Sequence, residues 1–270
     1  MGKGKGYTGC MRRVNFNRIS TAWDESAEWY HGLVGRRGME LQQRVVFPAA
    51  LRLLGLQRIE RLFDVACGQG AFCREARKRA DHIVGLDASR TLIELARQGS
   101  PRDIQFFTSD ARKFSEEIVK RAPFDALSCI LALGNIDDAA SVLNECAKVL
   151  KPQGRLVLVI THPCFRIPRQ SGWGWDEQRK LQYRRIDRYA SEMKIPVTMH
   201  PGRGGSEVTW TFHRPLSYYV TALRRAGFAV DAMEELTTNR TSTPGPRAKA
   251  DQRSKEEIPL FLAVRAVKSK

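Results

Sequence analysis

No run of the roughly 18 apolar residues needed to cross a bilayer occurs in the 270-residue chain, and its first residues lack the apolar stretch of a signal peptide. Gly6 stands where an N-myristoylation motif wants Ser or Thr, so a lipid anchor at Gly2 is not expected. A cytoplasmic protein without membrane attachment is the expectation. The six cysteines (Cys10, Cys67, Cys73, Cys129, Cys146, Cys164) contain no C-x-x-C pair, which removes the usual grounds for zinc or a disulfide framework. Buried thiols in a reducing compartment and no metal site are expected instead. Acid is also scarce: 29 Asp and Glu face 45 Lys and Arg, a net charge of +16, so an anionic partner is expected and nucleic acid is one candidate. There is no internal repeat. With 42% hydrophobic and 27% charged residues, the chain has the composition of a globular protein able to bury a core.

The basic residues have two concentrations. Lys3, Lys5, Arg12, Arg13 and Arg18 precede the first acid, Asp24, and define a basic tail over 1–20. Arg166, Arg169, Arg179, Lys180, Arg184, Arg185 and Arg188 crowd a later stretch. Residues 21–270 read as a single domain. Between 61 and 158, short β-rich apolar runs alternate with amphipathic segments, the pattern of a doubly wound, mostly parallel α/β sheet. Strands are expected at 62–66, 83–86, 104–107, 125–130 and 155–161. Helices are expected after Ser89, ending before Gly99, and from near Asp137 and Asp138 to the Lys151-Pro152-Gln153-Gly154 turn. Upstream, 21–56 reads as a helical cap interrupted by Pro48. Downstream, 163–214 breaks the rhythm with tryptophans, Gly and Pro, and reads as a substrate lid. A helix over 216–226 and strands at 228–233 and 259–267 follow. A polar, mobile loop is expected at 237–257.

The strongest local signal is Leu62-Phe63-Asp64-Val65-Ala66-Cys67-Gly68-Gln69-Gly70, a strand entering a glycine turn ahead of a helix near Ala71. Gly68 and Gly70 would let backbone approach a ligand, and the helix start favours an anionic group. About twenty residues on, Asp87 ends the second strand, where a carboxylate can accept from both ribose hydroxyls. A third acid, Asp110, follows the third strand and can accept from an adenine amino group. These acids could also be ordinary helix caps; three at successive strand ends point to an adenosine ligand. Cys73 occupies the third glycine position of a dinucleotide fingerprint, which argues against NAD.

With Gly85-Leu86-Asp87, Ser109-Asp110-Ala111, Phe124-Asp125-Ala126 and Leu150 to Leu156, this run resembles the class I S-adenosylmethionine-dependent methyltransferases over roughly 33–160 and again from 214 onward. The resemblance implies a seven-stranded sheet with an antiparallel last strand and S-adenosyl-L-methionine as cofactor. It implies methionine near Asp64, Ala66, Gly68 and Gly70, ribose on Asp87, and adenine near Asp110 and Ala111, with Ile130 completing the site. An N-terminal aromatic, Trp29 or Tyr30, would close over it. Two positions depart from the family: Ala66 stands where glycine is commonest, and Gln153 replaces a glycine.

Thr161-His162-Pro163-Cys164-Phe165 and the run from His213 through Pro215 to Tyr219 resemble a bacterial subgroup of these enzymes. Methyl transfer is a direct displacement in which positioning dominates and a base is needed only for a protonated nucleophile. His162 is the first candidate base and His213 the second. The residues after strand four, Cys129 to Gly134, lack the turn of amino-base DNA methyltransferases. Pro163-Cys164 lacks the partner motif for thiolate catalysis on cytosine. The expected function is methyl transfer to a small, partly aromatic molecule under the lid, with an RNA methyltransferase as the alternative. Acceptor atom and oligomeric state stay open.

Overall fold

The computed structural model describes Trp23, Gly32, Gly35 and residues 38–198 and 208–269. The basic tail, Cys10, Trp29 and Tyr30 lie outside the described residues. Seven strands form one sheet: β1 (Arg61–Val65), β2 (His82–Asp87), β3 (Gln105–Thr108), β4 (Phe124–Ile130), β5 (Leu150–Thr161), β10 (Phe228–Leu236) and β11 (Phe261–Lys268). Their order is β10-β11-β5-β4-β1-β2-β3, with β11 antiparallel to both neighbours and the other pairings parallel. This is the doubly wound class I methyltransferase fold that the resemblance implied.

Both faces of the sheet are covered, which is why its strands read as continuous apolar runs. Alternate residues of β1 point to opposite sides. Phe63 joins a cluster with Phe124, Leu127 and Leu143, and its ring stacks on Phe124 at 4.9 Å; Leu62 joins a second cluster with Phe47, Phe72 and Ile93.

The N-terminal helical segment runs through Pro48 and is not interrupted there. A π turn over Gln42–Val46 leads into α1 (Phe47–Leu54), whose first turn holds Pro48. Gly55, at φ 56°, ends α1 in the left-handed conformation. Further helices are α2 (Ala71–Ala76), α3 (Arg90–Gly99), α4 (Glu116–Val119), α5 (Ala139–Val149), α6 (Leu216–Arg225) and α7 (Ala248–Glu257). Ser89 Oγ accepts from Leu92 N at 3.2 Å to cap α3, and Asp138 accepts from Ser141 N at 3.0 Å to cap α5.

Two further expectations need correction. The stretch 237–257 is not all loop, because α7 fills its second half; Lys255 pairs with Asp251 one turn earlier and Ser254 is buried. Strand β5 also starts earlier than expected, since Gln153 adopts φ 62° inside it while Gly154 leaves room for the Leu150 side chain. The insertion at 163–214 forms two antiparallel hairpins, β6 (Ser171–Asp176) with β7 (Leu181–Ile186) and β8 (Met193–Thr198) with β9 (Val208–His213).

Candidate active site

A cavity of about 400 Å³ opens where β1, β2 and β4 end. Strand order reverses beside β1: the chain runs outward through β2 to β3 and then returns to β4 on the other side of β1, and such a switch point is the usual place for a ligand crevice in an open α/β sheet.

The turn after β1 forms its base. Cys67 N donates to Leu86 O at 2.8 Å, tying the turn to β2, and Ala66, Gly68 and Gly70 all have positive φ, at 58°, 55° and 76°. The two glycines do different work. A Cβ at Gly68 would meet nothing within 4 Å, so backbone there is open to the cavity that it lines; at Gly70 it would lie 2.8 Å from Phe106 Cζ, so this glycine makes room for β3 packing. Ala66 holds the left-handed conformation despite its Cβ, a strain of roughly 1–2 kcal/mol. Leu131, at φ 57° just past β4, is a second such residue on the cavity wall. Strain at both strand ends is held by hydrogen bonds, Leu131 N donating to Val159 O at 2.7 Å.

Asp87 ends β2 and lines the cavity. Its Oδ2 accepts from Gly68 N at 2.8 Å and its Oδ1 from Ser89 N at 2.9 Å, so the glycine turn and the start of α3 are oriented by one carboxylate. Asp64 lies deeper and is buried. Ser128 Oγ donates to its Oδ1 at 2.7 Å and Cys73 Sγ to its Oδ2 at 3.3 Å. Burial nonetheless dominates and pushes the carboxyl up to about 7, with the charge of Asp87 adding to the shift.

Asp110 and Ala111 line the cavity from beyond β3. The guanidinium of Arg112 forks onto Asp110, with Nη2 2.7 Å from Oδ2 and Nε 3.0 Å from Oδ1, and holds its pKa below the usual carboxylate range. Arg112 Nη1 also reaches Asp137 Oδ1 at 2.8 Å, so this side chain bridges the loops after β3 and β4. Sequence reading missed Arg112, since nothing local marks an arginine whose partners lie 2 and 25 positions away.

The N-terminal segment closes one side through Trp23, Met39, Gln42 and Phe47. Gln69 Nε2 donates to Gly35 O at 2.6 Å and fastens that segment to the glycine turn. Trp23 and Phe47 are the aromatics that the described part of this segment brings to the cavity; Trp29 and Tyr30 lie outside the described residues. Ile130, Ala132, Asn135 and Ile136, from the end of β4 and the loop after it, form another part of the wall.

Neither candidate base is on that wall. His162 is 2% exposed; its Nδ1 accepts from Cys164 N at 3.2 Å, which leaves Nε2 to donate to Glu235 Oε1 at 2.9 Å. Burial lowers its pKa, against the opposing pull of Glu235. His213 is buried as well and its Nε2 donates to Tyr189 O at 2.7 Å. Both rings bind parts of the insertion or of β10, and neither reaches the cavity. Cys164 is half-buried beside His162 and also stands off the lining.

No described residue of the expected lid, 163–214, lines the cavity. The insertion acts through its end. Thr211 Oγ1 donates to Asn135 Oδ1 at 3.4 Å, and Arg214, 3% exposed, donates to the carbonyls of Leu133 (3.5 Å), Ile136 (2.8 Å) and Asp137 (2.5 Å). Arg214 thus clamps the loop that carries Asn135 and Ile136. The His213-Arg214-Pro215 run drew attention for its histidine, while the arginine is the side chain wired to the site.

Comparison with known proteins bears on this geometry. A family model described as a methyltransferase domain matches residues 63–158. A ubiquinone biosynthesis O-methyltransferase of Xylella fastidiosa is 35% identical over 152 residues, 53% of this chain, and a demethylmenaquinone methyltransferase of Thermotoga maritima is 35% identical over 102 residues, 37% of this chain. The chain spans 60% of the length of the first relative and 43% of the second. Among solved structures, an S-adenosylmethionine-dependent methyltransferase from Mesorhizobium loti superposes with a TM-score of 0.67 at 27% identity, covering 87% of this chain and 100% of that one.

Proposed function

Since this chain belongs to the class I S-adenosylmethionine-dependent methyltransferases, we propose that it transfers the sulfonium methyl of that cofactor to a small-molecule acceptor. The carrying observation is the carboxylate of Asp87, held by the N–H groups of Gly68 and Ser89 at the wall of a crevice where Gly68 leaves backbone open. A nucleoside fits that chemistry: Asp87 suits a pair of ribose hydroxyls, and the apolar Leu92, Ala111 and Ile130 suit a purine. S-adenosylmethionine, when bound, supplies an electrophilic methyl group.

The residues of this chain then have three tasks. Gly68, Asp87 and the Asp110–Arg112 pair bind and orient. Trp23, Met39 and Phe47 exclude water from one side. Asn135 and Ile136, on the loop held by Thr211 and Arg214, shape part of the cavity lining available to an acceptor. Catalysis by alignment asks for no histidine on the wall, in keeping with the engagement of His162 and His213 elsewhere. The relatives named for ubiquinone biosynthesis and for demethylmenaquinone support a small acceptor over RNA.

The test is calorimetric titration with S-adenosylmethionine and S-adenosylhomocysteine, followed by incubation with methyl-labelled cofactor and separated small-molecule and RNA extracts. Binding of both compounds and label in the small-molecule fraction are expected. No heat from either compound would overturn the reading, and label confined to RNA would overturn the choice of acceptor.

A further inference from the structure

One corner of the insertion holds positive charge without a counter-charge. Arg166, Arg169, Arg179, Lys180, Arg184, Arg185 and Arg188 lie within 163–188, and three of them are neutralised locally: Arg179 by Asp176, Lys180 by Glu177 and Arg185 by Asp187. Arg166 and Arg184 have no carboxylate partner among the described residues. Both are half-buried, and the guanidinium carbon of each lies 5.1 Å from the ring centroid of Trp173. Two like charges thus converge on one indole.

Their placement is fixed by backbone. Arg166 donates through Nε to Pro259 O at 3.2 Å and through Nη2 to Ile258 O at 3.4 Å. Arg184 donates through Nε to Phe165 O at 2.7 Å and through Nη2 to Ser171 Oγ at 2.7 Å. In each case Nη1 makes no hydrogen bond among the described residues. Burial lowers the pKa of both guanidinium groups, Arg166 to about 10, and the charge of Arg184 adds to the shift at Arg166. Two crowded, partly desolvated cations with donors unused gain strongly from a shared oxyanion. Trp173, paired across the hairpin with Arg184, is 41% exposed and offers ring surface beside those donors.

We propose that this corner binds a planar aromatic oxyanion, a carboxylate or phosphate borne on a ring, with Arg166 and Arg184 gripping the oxygens and the exposed part of Trp173 stacking on the ring. None of the three residues lines the cofactor cavity, so the site is independent of the methyl-transfer reading.

Phenyl phosphate, cyclohexyl phosphate and inorganic phosphate are titrated calorimetrically into the whole protein. Phenyl phosphate is expected to bind saturably and tighter than the other two. Arg184→Gln and Arg166→Gln should each weaken it by roughly tenfold or more, the scale of a hydrogen bond to a charged group. Arg184→Lys, which keeps the charge and loses the fork, should fall between. Trp173→Leu should abolish the preference for phenyl over cyclohexyl phosphate while retaining binding of the anion. Arg185→Gln, on the other face of the hairpin, should change nothing, and S-adenosylmethionine binding in every variant reports that the fold is intact. Absence of saturable binding, equal affinity for all three compounds, or equal loss in Arg185→Gln would overturn the proposal. So would displacement of phenyl phosphate by a homopolymeric oligonucleotide with a steep salt dependence, which would mark a nucleic-acid face.

Discussion

Around the cavity, carboxylates and backbone N–H groups converge from three strand ends, Ala66 and Leu131 are held at positive φ, and the Cβ position of Gly68 is open. In the hairpins of the insertion, residues pair in regular register, both histidines at its ends are engaged, and Tyr183 lies across Gly174, where a Cβ would meet its ring at 2.4 Å. The first region keeps strain and polar groups at an opening; the second has most of its backbone polar groups paired within its hairpins. The crevice is where the proposed chemistry belongs, and the insertion touches its loop through Thr211 and Arg214.

The largest expected effect tests that link. Arg214→Ala strips three carbonyls of their donor and empties the space between Phe212 and Tyr218, so stability in urea should fall by about 3 kcal/mol, with acceptor turnover lost before cofactor binding. Equal loss of both would dissolve the distinction between the two regions. Asp64 comes next. Its carboxyl titrates near 7 in the folded chain and at its ordinary lower value when unfolded, so the folded state holds this proton to higher pH. Its contribution to stability is complete below about pH 4 and is lost as pH rises through about 7, a decline on the order of 2 kcal/mol between pH 5 and 8. Asp64→Asn should flatten that part of the profile in pH-dependent unfolding.

Asp87→Ala should weaken S-adenosylmethionine by about 1–3 kcal/mol in calorimetry, and unchanged affinity would remove the ribose assignment. His162→Gln and His213→Gln sharpen the contrast from the other side. As supports of the insertion, each should cost about 1 kcal/mol of stability and leave turnover within about tenfold of the parent, whereas loss of a working base costs roughly 10²–10⁴-fold. The smallest effect belongs to Ala66→Gly, which relieves left-handed strain at the price of unfolded-state entropy and should raise stability by up to about 1 kcal/mol. A loss on thermal unfolding would show that the Ala66 methyl is needed for packing.

Much of the crevice could be read in advance because its signals are local. Strands β1 to β4 announce themselves by apolar runs between turns, Ser89 and Asp138 cap the helices that follow them, and Asp64, Asp87 and Asp110 stand at strand ends. Ala66, Gly68, Ala111 and Ile130 also line the cavity, while Gly70 serves Phe106. What stayed hidden depends on distant partners. Trp23 lines the cavity on a segment that Gln69 anchors through Gly35, and His162 is held away from it because its Nε2 donates a hydrogen bond to Glu235, 73 residues later. Helix α7 carries no apolar stripe to announce it, since its sequence is polar apart from Ala248 and Ala250.

Taken alone, the order of residues determined the alternation of strand and helix, the glycine turn and the spacing of its acids, since these follow from backbone sterics and hydrophobic period over a few residues. Tertiary structure decided which groups meet at the cavity: which glycine faces it, that Arg112 and Arg214 brace it, and that two histidines are turned away. Those outcomes rest on contacts between segments far apart in the chain, where burial and hydrogen-bond geometry choose the partner and no local pattern records the choice.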